Sequence, residues 1–278
     1  MNTPEQLVPQ LRLSDGNLIP QVGYGVYKIS DDDAQELVGT ALQAGYRHID
    51  TATLYENERA VGRAVRESGL DRADVFVTTK VWNDDQGYDQ TLRAFEASTK
   101  RLDLGYVDLY LIHWPVPSKD LYVETWRALI HLQEQGAVRS IGVSNFNHTH
   151  LDRLIKDTGH TPVINQVELH PYLSQNQVRA ANAQRGILTQ AWSPLGRGNG
   201  VLAEPAVLAI AQQLGRSPAQ VVLRWHLERG TVIIPKSAHP QRIADNIALF
   251  DFDLTDAQRA TLEALNSNSR TGADPDLG

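Results

Sequence analysis

The sequence contains no cysteine, which removes disulfides, thiolate catalysis and cysteine-ligated zinc or iron–sulfur sites together and suits a reducing compartment. It also lacks a basic excess: 26 Lys and Arg stand against 33 Asp and Glu, a formal charge of −7. A general nucleic-acid or anionic-membrane binder needs a basic face to neutralise phosphate, so the balance argues against both partners while leaving room for one small phosphorylated ligand. No apolar run reaches the roughly 18 residues that cross a bilayer, and the opening MNTPEQLVPQ has no basic stretch followed by an apolar one. These absences predict a soluble, unprocessed, cytoplasmic chain. A hydrophobic content of 41% and unremarkable Gly and Pro counts exclude disordered and collagen-like chains.

What is present is alternation. At about 150 residues per domain, 278 residues suggest two domains, unless an α/β barrel holds the whole length as one. Leu11 to Pro20 reads as an N-terminal β-hairpin, because Asp15-Gly16 supplies the positive φ angles of a tight turn between short apolar segments. Strand-like runs then follow at Val22 to Gly25, Arg47 to Asp50, Val75 to Lys80, Val107 to His113, Ile141 to Ser144, Ile164 to Val167, Leu188 to Trp192 and Val232 to Pro235. Helical patterns separate them: Asp31 to Ala44, Asn57 to Ser68, Tyr88 to Leu102, Tyr122 to Gln135, Thr149 to Asp157, Gln175 to Arg185, a long region from Pro205 to Glu228, and Gln241 to Leu249. Ser30 with Asp31-Asp32-Asp33 opens the first of these and Gly45 closes it. Eight βα units predict an α/β fold, a (β/α)8 TIM barrel filling residues 1–278 as a single domain. Two extra helices break the rhythm, one before the eighth strand and one at Thr255 to Leu265, and Ser267 to Gly278 reads as a weakly structured polar tail.

In a parallel barrel the chemistry collects where the strands end. Here the runs close on His48-Ile49-Asp50, Lys80, His113-Trp114, Ser144-Asn145, Asn165-Gln166, Trp192-Ser193 and Lys236-Ser237. Any one of these is ordinarily a solvated strand end or a packing residue. Gathered at one mouth, they place Asp50, Tyr55, Lys80 and His113 within reach of each other. A lysine held charged by Asp50 is expected to lower the Tyr55 phenol from about 10 toward neutrality, making it a proton donor and acceptor, with His113 orienting a carbonyl.

Gly23-Tyr24-Gly25-Val26-Tyr27-Lys28 has lysine where a Rossmann fingerprint needs its third glycine, so a nicotinamide would lie across the barrel mouth instead. Trp192 offers a stacking face, Ser144, Asn145 and Gln166 offer hydrogen bonds to an amide, and Lys236, Ser237 and Arg242 near a helix start suit a phosphate. The aromatic side chains of Tyr27, Trp82 and Trp114 suggest an apolar-lined pocket for small carbonyl compounds. Trp126 and Trp225, within helices, read as packing.

The segments Gly45 to Ala52 with Tyr55, Thr79 to Trp82, Asp108 to Pro115, Gly142 to Phe146, Asn165 to Glu168 and Ile234 to Ser237 together resemble the aldo-keto reductases. The match runs from about Leu11 to Leu265 and looks most like the bacterial 2,5-diketo-D-gluconate reductase group. The resemblance implies a metal-free, NADPH-dependent carbonyl reductase in which Tyr55 protonates the carbonyl oxygen, Lys80 tunes Tyr55, Asp50 holds Lys80 and His113 positions the substrate. It also implies cofactor contacts at Gly23, Tyr24, Asp50, Ser144, Asn145, Gln166, Trp192, Ser193, Pro194, Leu195, Gly196, Ile234, Lys236, Ser237, Arg242, Asp245 and Asn246. Substrate contacts are implied at Tyr27, Trp82, Asn83, His113 and Trp114. Ala238 and His239 depart from the group's usual Val and Arg, which weakens the attraction for a 2′-phosphate and allows some NADH use.

Three other readings stand beside this one. Lys80 could be a Schiff-base nucleophile, or His48, Asp50, His113 and His170 could ligate a metal in a barrel hydrolase. A non-catalytic binding protein on the same scaffold is the third, although Tyr55 and Lys80 are both kept. Nothing in the sequence demands more than a monomer.

Overall fold

The computed structural model describes residues 8–276. The start at residues 1–7 and the last two residues of the expected tail lie outside the described residues. Strands β1 (Gln10–Arg12) and β2 (Leu18–Pro20) pair antiparallel with Leu11 opposite Ile19, and Gly16 takes the left-handed φ of 92° that the turn requires.

Eight parallel strands follow: β3 (Tyr24–Gly25), β4 (His48–Asp50), β5 (Phe76–Val81), β6 (Val107–Ile112), β7 (Val138–Ser144), β8 (Ile164–Glu168), β9 (Leu188–Trp192) and β10 (Val232–Ile233). Each pairs with its sequence neighbour. The sheet closes where Val22 bridges Ile233 and the Gly23 N–H donates to the Ile233 carbonyl at 2.8 Å. Strand β6 shows how sequence sets the layers: Leu109 and Leu111 join the barrel interior, while Tyr110 and Ile112 join the layer between sheet and helices. Gly142 on β7 is required inside, because a Cβ there would lie 2.7 Å from Ile164 and 2.8 Å from Leu111 side-chain carbons. Leu13 and Ile19 of the hairpin pack on the same interior cluster and plug the end of the barrel where the strands begin.

The helices are α1 (Asp31–Gln43), α2 (Glu58–Glu67), α3 (Tyr88–Leu102), α4 (Tyr122–Glu134), α5 (His148–Thr158), α6 (Asn176–Gln184), α7 (Pro205–Leu214), α8 (Pro218–Glu228), α9 (Pro240–Asp245) and α10 (Asp256–Glu263). The long helical region from Pro205 to Glu228 is two helices. Gly215, left-handed at φ 62°, ends α7, and Ser217 caps α8 through a reciprocal pair with Gln220. Helix α9 is shorter than expected and stops at Asp245. Trp126 and Trp225 are fully buried, as packing requires.

The tail differs most from its expected form. Residues 267–276 hold no helix or strand, yet they fold back over the barrel, with the Ser267 and Ser269 N–H groups both donating to the Tyr172 carbonyl at 3.1 Å. A segment without periodicity gives no sign of this, since the acceptors that hold it lie far away in sequence.

Candidate active site

A cavity of about 710 Å³ opens at the carboxyl ends of the strands and is lined by Asp50, Tyr55 and His113 together with Tyr27, Trp82, Asn83 and Trp114. Beneath it Lys80, on β5, is fully buried; its Nζ donates to Asp50 Oδ1 at 2.5 Å and to the Thr51 carbonyl at 2.8 Å. Gln166 Nε2 donates to the other Asp50 oxygen at 2.7 Å. Burial pushes the Asp50 carboxyl up and the Lys80 amine down, and their mutual attraction opposes both shifts. With its ammonium enclosed, Lys80 is not presented to the cavity as a Schiff-base nucleophile.

Tyr55 ends a short 3-10 turn, Thr53–Tyr55, and its ring lies 5.2 Å from Lys80 Nζ and 5.8 Å from the His113 ring centroid. The phenol is not lowered toward neutrality. Burial first, then the Asp50 charge, hold it well above its ordinary 10, because the Lys80 charge is taken up by Asp50 at contact distance. Tyr55 is therefore kept protonated. Its hydroxyl has no hydrogen-bond partner among the described residues, which leaves that proton free for a ligand. His113, squeezed edge-on between Tyr55 and Trp82, is held uncharged by burial and then by Lys80.

One wall is polar. Ser144 Oγ donates to the Gln166 carbonyl at 2.8 Å, Asn145 Nδ2 donates to the His113 carbonyl at 3.0 Å, and Trp192 Nε1 donates to Asn145 Oδ1 at 2.8 Å. This ties an indole platform to the amide row. Ser193, Pro194, Leu195, Ile234 and Lys236 continue the cavity lining past Trp192. Two residues that the sequence did not single out for chemistry also line it, Lys28 and Arg197, each with its charge 5.5 Å from the centroid of the Tyr27 ring. Among the described residues neither these two nor Lys236 forms an ion pair with a carboxylate. A polyanionic dinucleotide fits such a trench: a flat indole, an amide-reading row and three uncompensated cations. The available signal was Arg197 standing inside the glycine-rich stretch Gly196 to Gly200, and Lys28 directly after an aromatic residue.

Other expected contacts lie off the cavity. Gly23 faces inward, where a Cβ would sit 2.5 Å from His48 Nδ1, and Tyr24 is buried with its hydroxyl on the Ser237 carbonyl at 2.6 Å. Gly196 makes a left-handed turn against Asn199. Ser237 engages the His239 N–H at 3.1 Å, and Arg242, Asp245 and Asn246 sit at α9 beyond Lys236, outside the cavity lining. The histidines of the metal reading do not gather. His48 pairs with Thr78 and His170 with Glu168, and among the described residues no group of three metal-binding side chains forms.

Comparison with known proteins agrees with this geometry. The model of the Aldo/keto reductase family matches residues 21–267. An aldo-keto reductase of Mycolicibacterium smegmatis is 52% identical, covering 96% of this chain and 97% of the relative. Methylglyoxal reductase DkgA of Salmonella typhimurium is 49% identical, covering 96% of each chain. Among solved structures, an aldo/keto reductase from Brucella melitensis superposes with a TM-score of 0.91 at 55% identity, covering 93% of this chain and 98% of that one. A mutant of Gox0644 in complex with NADPH superposes with a TM-score of 0.94 at 44% identity, covering 98% and 99%. On sequence and fold alike, the chain belongs to the aldo/keto reductase family.

Proposed function

We propose that this protein reduces aldehyde and ketone carbonyls to alcohols with NADPH, and that Tyr55 is the proton donor. The observation that carries the reading is the Tyr55 hydroxyl: kept protonated, without a hydrogen-bond partner among the described residues, beside an uncharged His113 and above the enclosed Lys80–Asp50 pair. Bound NADPH supplies the hydride. Tyr55 gives its proton to the carbonyl oxygen as negative charge develops there, His113 holds that oxygen in line, and Lys80 with Asp50 fixes the electrostatics beneath. In the reverse direction the same groups oxidise an alcohol.

Trp192, Ser144, Asn145 and Gln166 would hold the nicotinamide end, and Lys28, Arg197 and Lys236 the phosphates. Arg242, with His239 in place of an arginine, would receive the 2′-phosphate, which supports NADPH preference with some NADH use. Tyr27, Trp82, Asn83 and Trp114 would enclose the substrate. Aromatic walls reject little, so small aldehydes, diketones and keto-sugars all fit, and a relative named for methylglyoxal supports a 2-oxoaldehyde among them. Among the described residues no helix is long and apolar enough to cross a membrane. A carbonyl panel run separately with NADPH and NADH tests the reading. Carbonyl-dependent NADPH oxidation faster than NADH oxidation is expected, and no turnover with any aldehyde overturns it.

A further inference from the structure

Glu168 ends β8 fully buried, two residues past the amide row, and every donor around it comes from two places. His170 Nε2 donates to Oε1 at 3.1 Å. The Thr271 N–H and hydroxyl donate to the same oxygen at 2.7 and 2.5 Å, and the Gly272 N–H donates to Oε2 at 3.0 Å. Three of these four bonds therefore hold the tail. The tail turn they fix is pressed onto the cofactor platform: a Cβ on Gly272 would lie 2.5 Å from Trp192 Cη2 and 3.2 Å from Glu168 Oε2. Just beyond, Ala273 and Pro275 line the same cavity as Tyr55 and Trp114.

We infer that Glu168 is a positioning residue for the reaction, a carboxylate clip that holds residues 271–275 against Trp192 so that the tail forms a wall of the carbonyl-binding space. A side chain so used needs to be ionised and to accept from several donors at once, which only a carboxylate does. A glutamine of the same shape has one acceptor oxygen, and its amide would oppose one of the tail N–H groups. The reacting groups Tyr55, Lys80 and His113 do not touch Glu168, so loss of the clip widens the space in which substrate sits without changing proton transfer. This rests on the carbonyl reduction proposed above.

The test uses the full chain with 4-nitrobenzaldehyde and NADPH. Glu168→Gln is expected to raise KM for the aldehyde about tenfold with kcat within about threefold, to leave the NADPH Kd within about twofold, and to speed tryptic cleavage after the exposed Arg270. Gly272→Ala, which keeps the Glu168 carboxylate but crowds the turn against Trp192 Cη2 and Glu168 Oε2, is expected to raise KM in the same direction. Faster cleavage with unchanged KM overturns the inference, because the tail would then leave without consequence. An equal fall in folded fraction and kcat with constant KM also overturns it, marking Glu168 as structural. Should Glu168→Gln fail to fold, an unchanged KM in Gly272→Ala overturns the inference by itself. Wild-type protein that reduces no carbonyl with NADPH defeats the proposed function and this inference together. Normal wild-type turnover without the KM shift defeats this inference alone.

Discussion

The two ends of the barrel treat charge in opposite ways. At the hairpin end, charges are matched at contact distance: Asp108, at the start of β6, takes Arg72 at 2.7 Å, Arg139 at 3.3 Å and the Val77 N–H at 2.9 Å. Ser140 is held there by Asp15 at 2.7 Å and Asn17 at 3.0 Å. At the other end the Lys80–Asp50 pair and outlying loop pairs such as Lys119–Asp84 are closed, while among the described residues Lys28, Arg197 and Lys236 line the cavity with no carboxylate partner. In a chain of net charge −7 with acid to spare, cations left unpaired at one mouth mark where a ligand supplies the counter-charge. Matched charge holds the fold in place; unmatched charge awaits a partner.

The largest expected effect falls at the mouth. Tyr55→Phe removes the transferable proton and is expected to lower kcat for carbonyl reduction by about a thousandfold while leaving the NADPH Kd within about twofold, read by steady-state rates and fluorescence titration. At the opposite end, Asp108→Asn is expected to cost about 3 kcal/mol of stability in urea unfolding, since it leaves Arg72 without its buried partner, with kcat within about twofold. A swap of those two outcomes breaks the comparison.

A smaller effect sharpens it. Arg242→Ala is expected to raise the NADPH KM about tenfold and the NADH KM less than twofold; equal changes would place the 2′-phosphate elsewhere. A pH effect is shared by both halves. Burial holds His48 and His226 down to about 3 and His113 well below 6.5. The unfolded chain binds protons at these histidines below about 6.5 while the folded one does not, so stability rises with pH up to about 6.5 and is lost as pH falls from there toward 3. Melting temperature is expected to fall steadily between pH 6.5 and 4.5. Because His113 stays uncharged, kcat/KM is expected to show no His113 titration over the same range.

The barrel was legible because it is written locally. Apolar runs of strand length alternate with helical periods, and polar residues close the runs at Asp50, Lys80, His113 and Gln166. Their convergence follows from closure of the sheet alone. The hairpin was legible in Asp15-Gly16 for the same reason. What could not be read depends on distant partners. Glu168 looks like one more strand-end residue until Thr271 and Gly272 arrive on it, and the tail that brings them has no period of its own. Gly23 and Tyr24 sit in a motif that suggests ligand contact, yet beside the closing seam with Ile233 Gly23 abuts His48 and Tyr24 is buried with its hydroxyl on the Ser237 carbonyl. The Tyr55 shift had the opposite sign to the expected one because spacing gives the neighbouring charges but not how deeply they are buried or how completely they cancel.

Hydride transfer with Tyr55 as acid is tested most directly by a single turnover with NADPH carrying deuterium at both positions of nicotinamide C4. Wild-type enzyme and methylglyoxal should yield alcohol with that deuterium on the former carbonyl carbon, and Tyr55→Phe should bind the same cofactor and transfer almost none. Wild-type alcohol without deuterium, or deuterium that reaches the product equally fast in Tyr55→Phe, would contradict the account.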